Sequence, residues 1–209
     1  PKVDPIYYSR IAGKFIQAEV LRKIHFVATN VTYRFKGSND GVHPFSFKAE
    51  SGQLVGIVGG SGVGKSTLLN VLNGTLPLDD GKISINGFDI HEDKEVIRGV
   101  IGYVPQDDLL IEELTVYQNL YYNAKLCFRN YTEEELNDVV DQTIVDFDLD
   151  EARNFKVGSP LNKYISGGQR KRLNIALELM RQPSVLFVDE PTSGLSSIYS
   201  EKVMLLLKR

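Results

Sequence analysis

The chain has 209 residues, 42% hydrophobic and 24% charged, with a formal net charge of −3. That length suits one large domain or one domain with an appendage, and the charge argues against nucleic acid or an anionic lipid surface as the main partner. Cys127 is the single cysteine, which excludes an intrachain disulfide, suits a reducing compartment and reads as a small core residue.

No apolar run approaches the ~18 residues of a membrane span, and the charged opening PKVDPIYYSR does not read as a secretion signal. With no initiator Met and a close on VMLLLKR, we expect a C-terminally truncated piece of a longer protein. Residues 5–25 place Ile11, Phe15, Ala18 and Leu21 at helical spacing, with Asp4-Pro5 as a start, so 1–25 is expected to be a helical extension or linker.

The period then changes to two. Val27, Thr29, Val31, Tyr33 and Phe35 alternate along a strand that ends in KGSNDG. FSFKA and QLVGIVG follow as strands, the second apolar enough to be buried on both faces. A helix from Lys65 to Asn73 stops at Gly74, and KISIN, closed by Gly87, and GVIGYVP are further strands. Two helices start on capping boxes, Thr115 with Gln118 and Thr132 with Glu135, and VLFV (185–188) is the last strand. Strands alternating with helices predict an α/β fold with a mainly parallel central sheet, interrupted by a helical lobe over about 113–180.

GGSGVGKST carries the spacing G-x-x-x-x-G-K-[ST] between an expected strand and an expected helix, the context this phosphate loop requires. Gly59, Gly60, Ser61, Gly62, Val63 and Gly64 would turn backbone N–H groups toward an anion, at the head of a helix that adds its own positive end. Lys65 is expected to reach the β- and γ-phosphates and Ser66, followed by Thr67, to ligate Mg²⁺. VLFVDE then delivers Asp189 at a strand's carboxyl end, where open α/β sheets bind ligands. Asp189 is assigned to Mg²⁺ and Glu190 to polarising the attacking water; Gln106, after a strand in YVPQDD, could meet the metal or the water.

A second glycine turn, Ser166-Gly167-Gly168-Gln169, again heads a helix-like run and could hold phosphate oxygens in the same way. One ATP does not need two cradles. The economical explanation is that this turn serves an ATP bound to another copy, so that two chains head to tail complete each other's sites.

GGSGVGKST, YVPQDD, ISGGQRKR and VLFVDEPTSGL, in this order, resemble the ATP-binding cassette family over about residues 26–209. The resemblance implies a P-loop NTPase fold with an N-terminal antiparallel β subdomain and the helical subdomain at about 113–180. It also implies that Ser166 and Gly168 contact the γ-phosphate in trans, that Gln106 is the Q-loop residue, and that Phe35 stacks on adenine. GYVPQDDLLIEELTVYQNL and SGGQRKRLNIALELM are similar to White-type cassettes of eye-pigment, lipid and drug exporters and their bacterial relatives. Expected partners are therefore a second cassette and a transmembrane domain, with the chain at the cytoplasmic face of a membrane and no nucleic acid. Arg170, Lys171 and Arg172 read as a solvated part of the signature helix.

Two departures stand out. After PTSGL the family usually has Asp and this chain has Ser196, expected to weaken coupling between the two sites. The family's switch histidine would lie beyond the last strand, and His25, His43 and His91 come too early to replace it. Without that strand the sheet is expected to show an unpaired edge, and the chain alone to bind Mg-ATP but hydrolyse it slowly or not at all. The competing readings are a soluble cassette ATPase acting on ribosomes or DNA, and a regulatory cassette with little hydrolysis.

Overall fold

A computed structural model describes residues 9–11, 14–16, 23–38, 40–159 and 164–207. The chain divides into two compact units, Pro1–Ile101 and Gly102–Arg209.

In the first unit, strands β1 (Ser9–Ile11) and β2 (Lys14–Ile16) pair antiparallel, Arg10 opposite Phe15. Helical spacing had pointed to a helix here. Ile11, Phe15 and Ile16 are residues that favour strands, and Gly13 between the two segments costs a helix about 1 kcal/mol relative to Ala. Ala18 and Leu21 lie outside the described residues.

Strands β3 (His25–Arg34), β4 (Gly41–Glu50), β5 (Asp80–Ile85) and β6 (Phe88–Asp89) form an antiparallel sheet in the order β4-β3-β5-β6. This is the expected N-terminal β subdomain, but its inner face differs from the simple alternation. Phe26 and Ala28 are buried, then Val31, because register shifts flank Asn30, which takes a left-handed φ of 47°. One extra residue at a bulge moves every following side chain to the other face. The β5–β6 hairpin turns on Asn86-Gly87, at φ 53° and 88°, with Ile85 opposite Phe88; Asn-Gly is the pair that a two-residue primed turn favours. Ile83, Ile85 and Ile90 fill the core of this sheet.

Residues 53–60 do not form the buried strand expected of QLVGIVG. Among the described residues no strand pairs with them, and Leu54, Val55 and Val58 are exposed, Val58 at 97%. Apolar composition favours burial, but a strand exists only where a neighbour takes up its N–H and C=O groups. Helix α1 (Lys65–Leu72) follows, capped at Asn73 and stopped by Gly74 at φ 80°.

The second unit holds strands β7 (Ile101–Val104) and β8 (Val185–Val188), which pair with each other, and helices α2 (Val116–Cys127), α3 (Glu133–Asp146), α4 (Gly167–Leu179) and α5 (Ser197–Leu207). Both expected capping boxes close reciprocally: Thr115 and Thr132 accept the N–H groups of Gln118 and Glu135, whose side chains accept in return. Val116, Leu120, Val140, Ile144, Leu173 and Ile175 form a core that continues to Val104 and Val203, so the helical lobe and the β7–β8 pair share one apolar interior. Cys127 ends α2 half-buried, and burial pushes its thiol up. No helix among the described residues is long and apolar enough to cross a membrane.

Candidate functional site

The loop expected to hold phosphate is shaped by what α1 lacks. Helices α2, α3 and α4 each start on a side-chain cap; α1 starts on Gly64 at φ 94°, with no side-chain hydrogen bond and no acidic residue in its first turn. Its leading N–H groups and positive dipole end are therefore left to a ligand, and the ligand they fit is an anion. Gly62 and Gly64 hold left-handed backbone, which an L side chain resists by roughly 1–2 kcal/mol. The Lys65 ammonium bends back across the loop and donates to the carbonyls of Gly59 at 3.1 Å and Gly60 at 2.7 Å. Ser61, Gly62, Val63 and Ser66 are exposed, while Lys65 and Thr67 are half-buried.

Phe35 follows β3, is 44% exposed, and meets Tyr33 edge to face with centroids 5.1 Å apart. It is not a core aromatic. Its backbone N–H closes the following turn on Asp40 O at 3.0 Å.

In the second unit, β7 ends at Val104 and Gln106 emerges exposed two residues later. Beside it, β8 delivers Asp189, which is buried and donates its N–H to Val104 O at 2.9 Å. Burial and the Asp189 carboxylate push the Tyr103 phenol up. Glu190 is exposed and holds a left-handed φ of 48°. For a non-glycine residue that conformation costs about 1–3 kcal/mol and persists only where its surroundings impose it.

The second glycine turn is itself a capping box. Ser166 Oγ accepts the Gln169 N–H at 3.1 Å and Gln169 Oε1 accepts the Ser166 N–H at 2.8 Å. The S-x-x-Q spacing was there to be read as a cap. Among the described residues, the cap leaves the serine hydroxyl hydrogen and the N–H groups of Gly167 and Gly168 uncommitted. A side chain at Gly168 would meet Leu195 Cδ2 at 3.4 Å, so the turn lies against the segment that leads into Ser196. Ser196 is exposed just before α5, and its carbonyl accepts the Ser200 N–H.

The largest correction concerns Arg170, Lys171 and Arg172. They are not solvated: their exposures are 4%, 8% and 4%. Three consecutive residues sweep ~200° of a helix, and α4 buries that whole arc. Arg170 makes a two-pronged contact with Asp108, both bonds at 2.8 Å, and also donates to the carbonyls of Val157 and Gly158. Asp108 raises the guanidinium further above its ordinary range. Lys171 donates to Pro105 O at 3.4 Å and Asp189 O at 3.1 Å. Burial pulls its ammonium down, partly offset by Asp189, Glu190, Asp108 and Asp107. Arg172 donates to the carbonyls of Phe147 and Asp148 and stacks over Tyr199 at 4.2 Å. The signature helix is thus tied to the segment around Gln106, to the end of β8, and to the end of α3. The sequence reading takes the three cations as solvated and gives Asp108 no role of its own.

A protein-family model described as ABC transporter matches residues 42–193. The chain is 40% identical over 159 residues to an ABC-type transporter of Penicillium crustosum, covering 76% of this chain and 21% of that protein. It is likewise 40% identical over 163 residues to ABC transporter G family member 13 of Arabidopsis thaliana, covering 76% of this chain and 24% of that protein. The chain therefore spans between a fifth and a quarter of these relatives' length. Among solved structures, a dimeric post-hydrolysis state of the ATP-binding cassette MJ0796 bound to ADP and Pi superposes with a TM-score of 0.74 at 29% identity, covering 87% of this chain and 81% of that one.

Proposed function

The chain belongs to the ABC transporter family, and from that premise we propose that it is the ATP-hydrolysing motor of a transporter, two cassettes closing head to tail over two ATP molecules. The G-family relatives support a White-type cassette, and the dimeric neighbour supports a partner cassette. The carrying observation is α1: an uncapped helix start with left-handed glycines and a lysine folded over the loop is a site for phosphate.

In this reading the loop from Gly59 to Thr67 wraps the phosphates, Lys65 reaches the β- and γ-phosphates, and Phe35 stacks on adenine. Glu190 accepts the proton of the attacking water and Gln106 orients it. Catalysis of this kind is mostly positioning and electrostatics, so a strained, fixed Glu190 suits the task. Ser166, Gly167, Gly168 and Gln169 face the partner's γ-phosphate, and Ser196 weakens the coupling between the two sites. The Ser66 hydroxyl, the Asp189 carboxylate and the Gln106 amide would hold Mg²⁺. Their hard oxygen donors fit that ion, and no group of three or more His, Cys, Asp or Glu among the described residues could hold a metal alone. When bound, Mg²⁺ neutralises charge on the transferring phosphate.

Residues 26–209 form the cassette, with 113–180 as its helical subdomain, working at the cytoplasmic face of a membrane beside a transmembrane domain. The test is Glu190→Gln: ATP affinity stays within about twofold while turnover falls by about 10³ or more, the scale of losing a group needed in the transition state. Turnover at the native rate would place the base elsewhere.

A further inference from the structure

Lys171 is held inside the second unit, 8% exposed. Its ammonium bridges two backbone carbonyls, those of Pro105 and Asp189. Each carbonyl belongs to the peptide whose N–H is that of the next residue, and those next residues are Gln106 and Glu190. One buried charge therefore grips the peptide planes that lead into both of the side chains assigned to the attacking water.

The grip matters most at Glu190. Its left-handed φ is a rotation about the bond that follows the Asp189–Glu190 peptide, so holding that peptide plane limits where the carboxylate can swing. The plane before it is held as well, since the Asp189 N–H is bonded to Val104 O. Gln106 has a matching support: Asp108, two residues on, is clamped by Arg170 from the same helix. The Lys171 and Arg170 contacts both start from α4, the helix capped by Ser166.

We propose that Lys171 is a positioning residue for ATP hydrolysis: by bridging the carbonyls of Pro105 and Asp189 it fixes Gln106 and Glu190 relative to each other and to the signature turn on its own helix. The inference rests on the roles given above to Glu190 and Gln106. Lys171 acts through the backbone carbonyls of Pro105 and Asp189, so its effect is on the rate of the chemical step and not on nucleotide affinity.

The experiment measures steady-state ATPase activity, ATP binding and thermal melting on the intact protein for Lys171→Met, which keeps the length and loses the charge, and for Lys171→Gln, which keeps a shorter donor. Lys171→Met is expected to lower kcat by about tenfold or more with KM and ATP Kd within about twofold, and Lys171→Gln to fall between it and the native protein. Adding Lys171→Met to Glu190→Gln is expected to cost nothing more, because the lysine acts through the carboxylate. A native kcat in Lys171→Met overturns the proposal, as does a kcat loss that persists undiminished on top of Glu190→Gln. Should Lys171→Met fail to fold, Lys171→Gln decides: reduced kcat at a native melting temperature supports the proposal, and native kcat overturns it. If Glu190→Gln itself turns over normally, the assignment of the base has failed; if it is inactive and Lys171→Met is normal, only the positioning role has failed.

Discussion

Replacing Arg170 with methionine removes one guanidinium and strands several groups at once. The Asp108 carboxylate loses both of its 2.8 Å bonds, and the carbonyls of Val157 and Gly158 lose a donor. Taking one partner from a buried ion pair costs about 3–5 kcal/mol. Here the Arg170 side chain is 5% exposed and that of Asp108 is 23% exposed, so the stranded carboxylate regains some water and the ion-pair loss belongs at the low end. Each carbonyl adds about 1 kcal/mol, offset by the apolar packing that Met retains. The sum is about 3–5 kcal/mol, a large share of the ~5–15 kcal/mol by which domains are stable. Asp108→Asn should cost less, about 1–2 kcal/mol, because the amide still accepts one bond from Arg170 and both backbone contacts survive. Urea unfolding followed by far-UV circular dichroism measures both, with the midpoint moving at an unchanged slope. A loss below about 1 kcal/mol for Arg170→Met, or a larger loss for Asp108→Asn than for Arg170→Met, would refute the reasoning.

Gly102 sits where a Cβ would lie 2.7 Å from Pro183 Cγ and 3.0 Å from Glu178 Oε1. Gly102→Ala should therefore cost about 1–3 kcal/mol in the same unfolding assay; a loss below about 0.5 kcal/mol would contradict the packing argument. Asp89 is buried; desolvation alone would raise its carboxyl, but hydrogen bonds from the His91 and Glu92 N–H groups and the nearby Lys82 outweigh it and the net direction is down. A carboxyl depressed in the folded state binds fewer protons there than in the unfolded chain, so its stabilisation is present above about pH 4 and is lost as pH falls through the folded value. Melting temperatures of the native protein and Asp89→Asn should thus converge as pH drops from 6 to 3; a constant gap would contradict the assignment.

Local chemistry was legible before any fold was known. Gly62, Gly64 and Lys65 announce the phosphate loop because a tight turn, a helix start and a charge must share eight consecutive residues. Thr115 with Gln118 and Thr132 with Glu135 announce helix starts for the same reason, and Asn86-Gly87 turns where Gly87 was expected to close a strand. Each of these depends on neighbours within at most eight residues, and those are written side by side.

What the sequence left undecided depended on distant partners. Asn30 shifts the buried face of β3 because of how β4 and β5 pair beside it. The apolar run 53–60 looks like a buried strand in isolation, yet a strand is defined by the neighbour that bonds to it. Arg170, Lys171 and Arg172 look like surface charge until Asp108, Asp189 and Tyr199, between 18 and 62 positions away or reached across another element, come to meet them. The sequence alone determined which residues are candidates for binding phosphate and for polarising water; only the tertiary structure decided which cations are buried, because burying a charge is affordable only where distant acceptors converge on it.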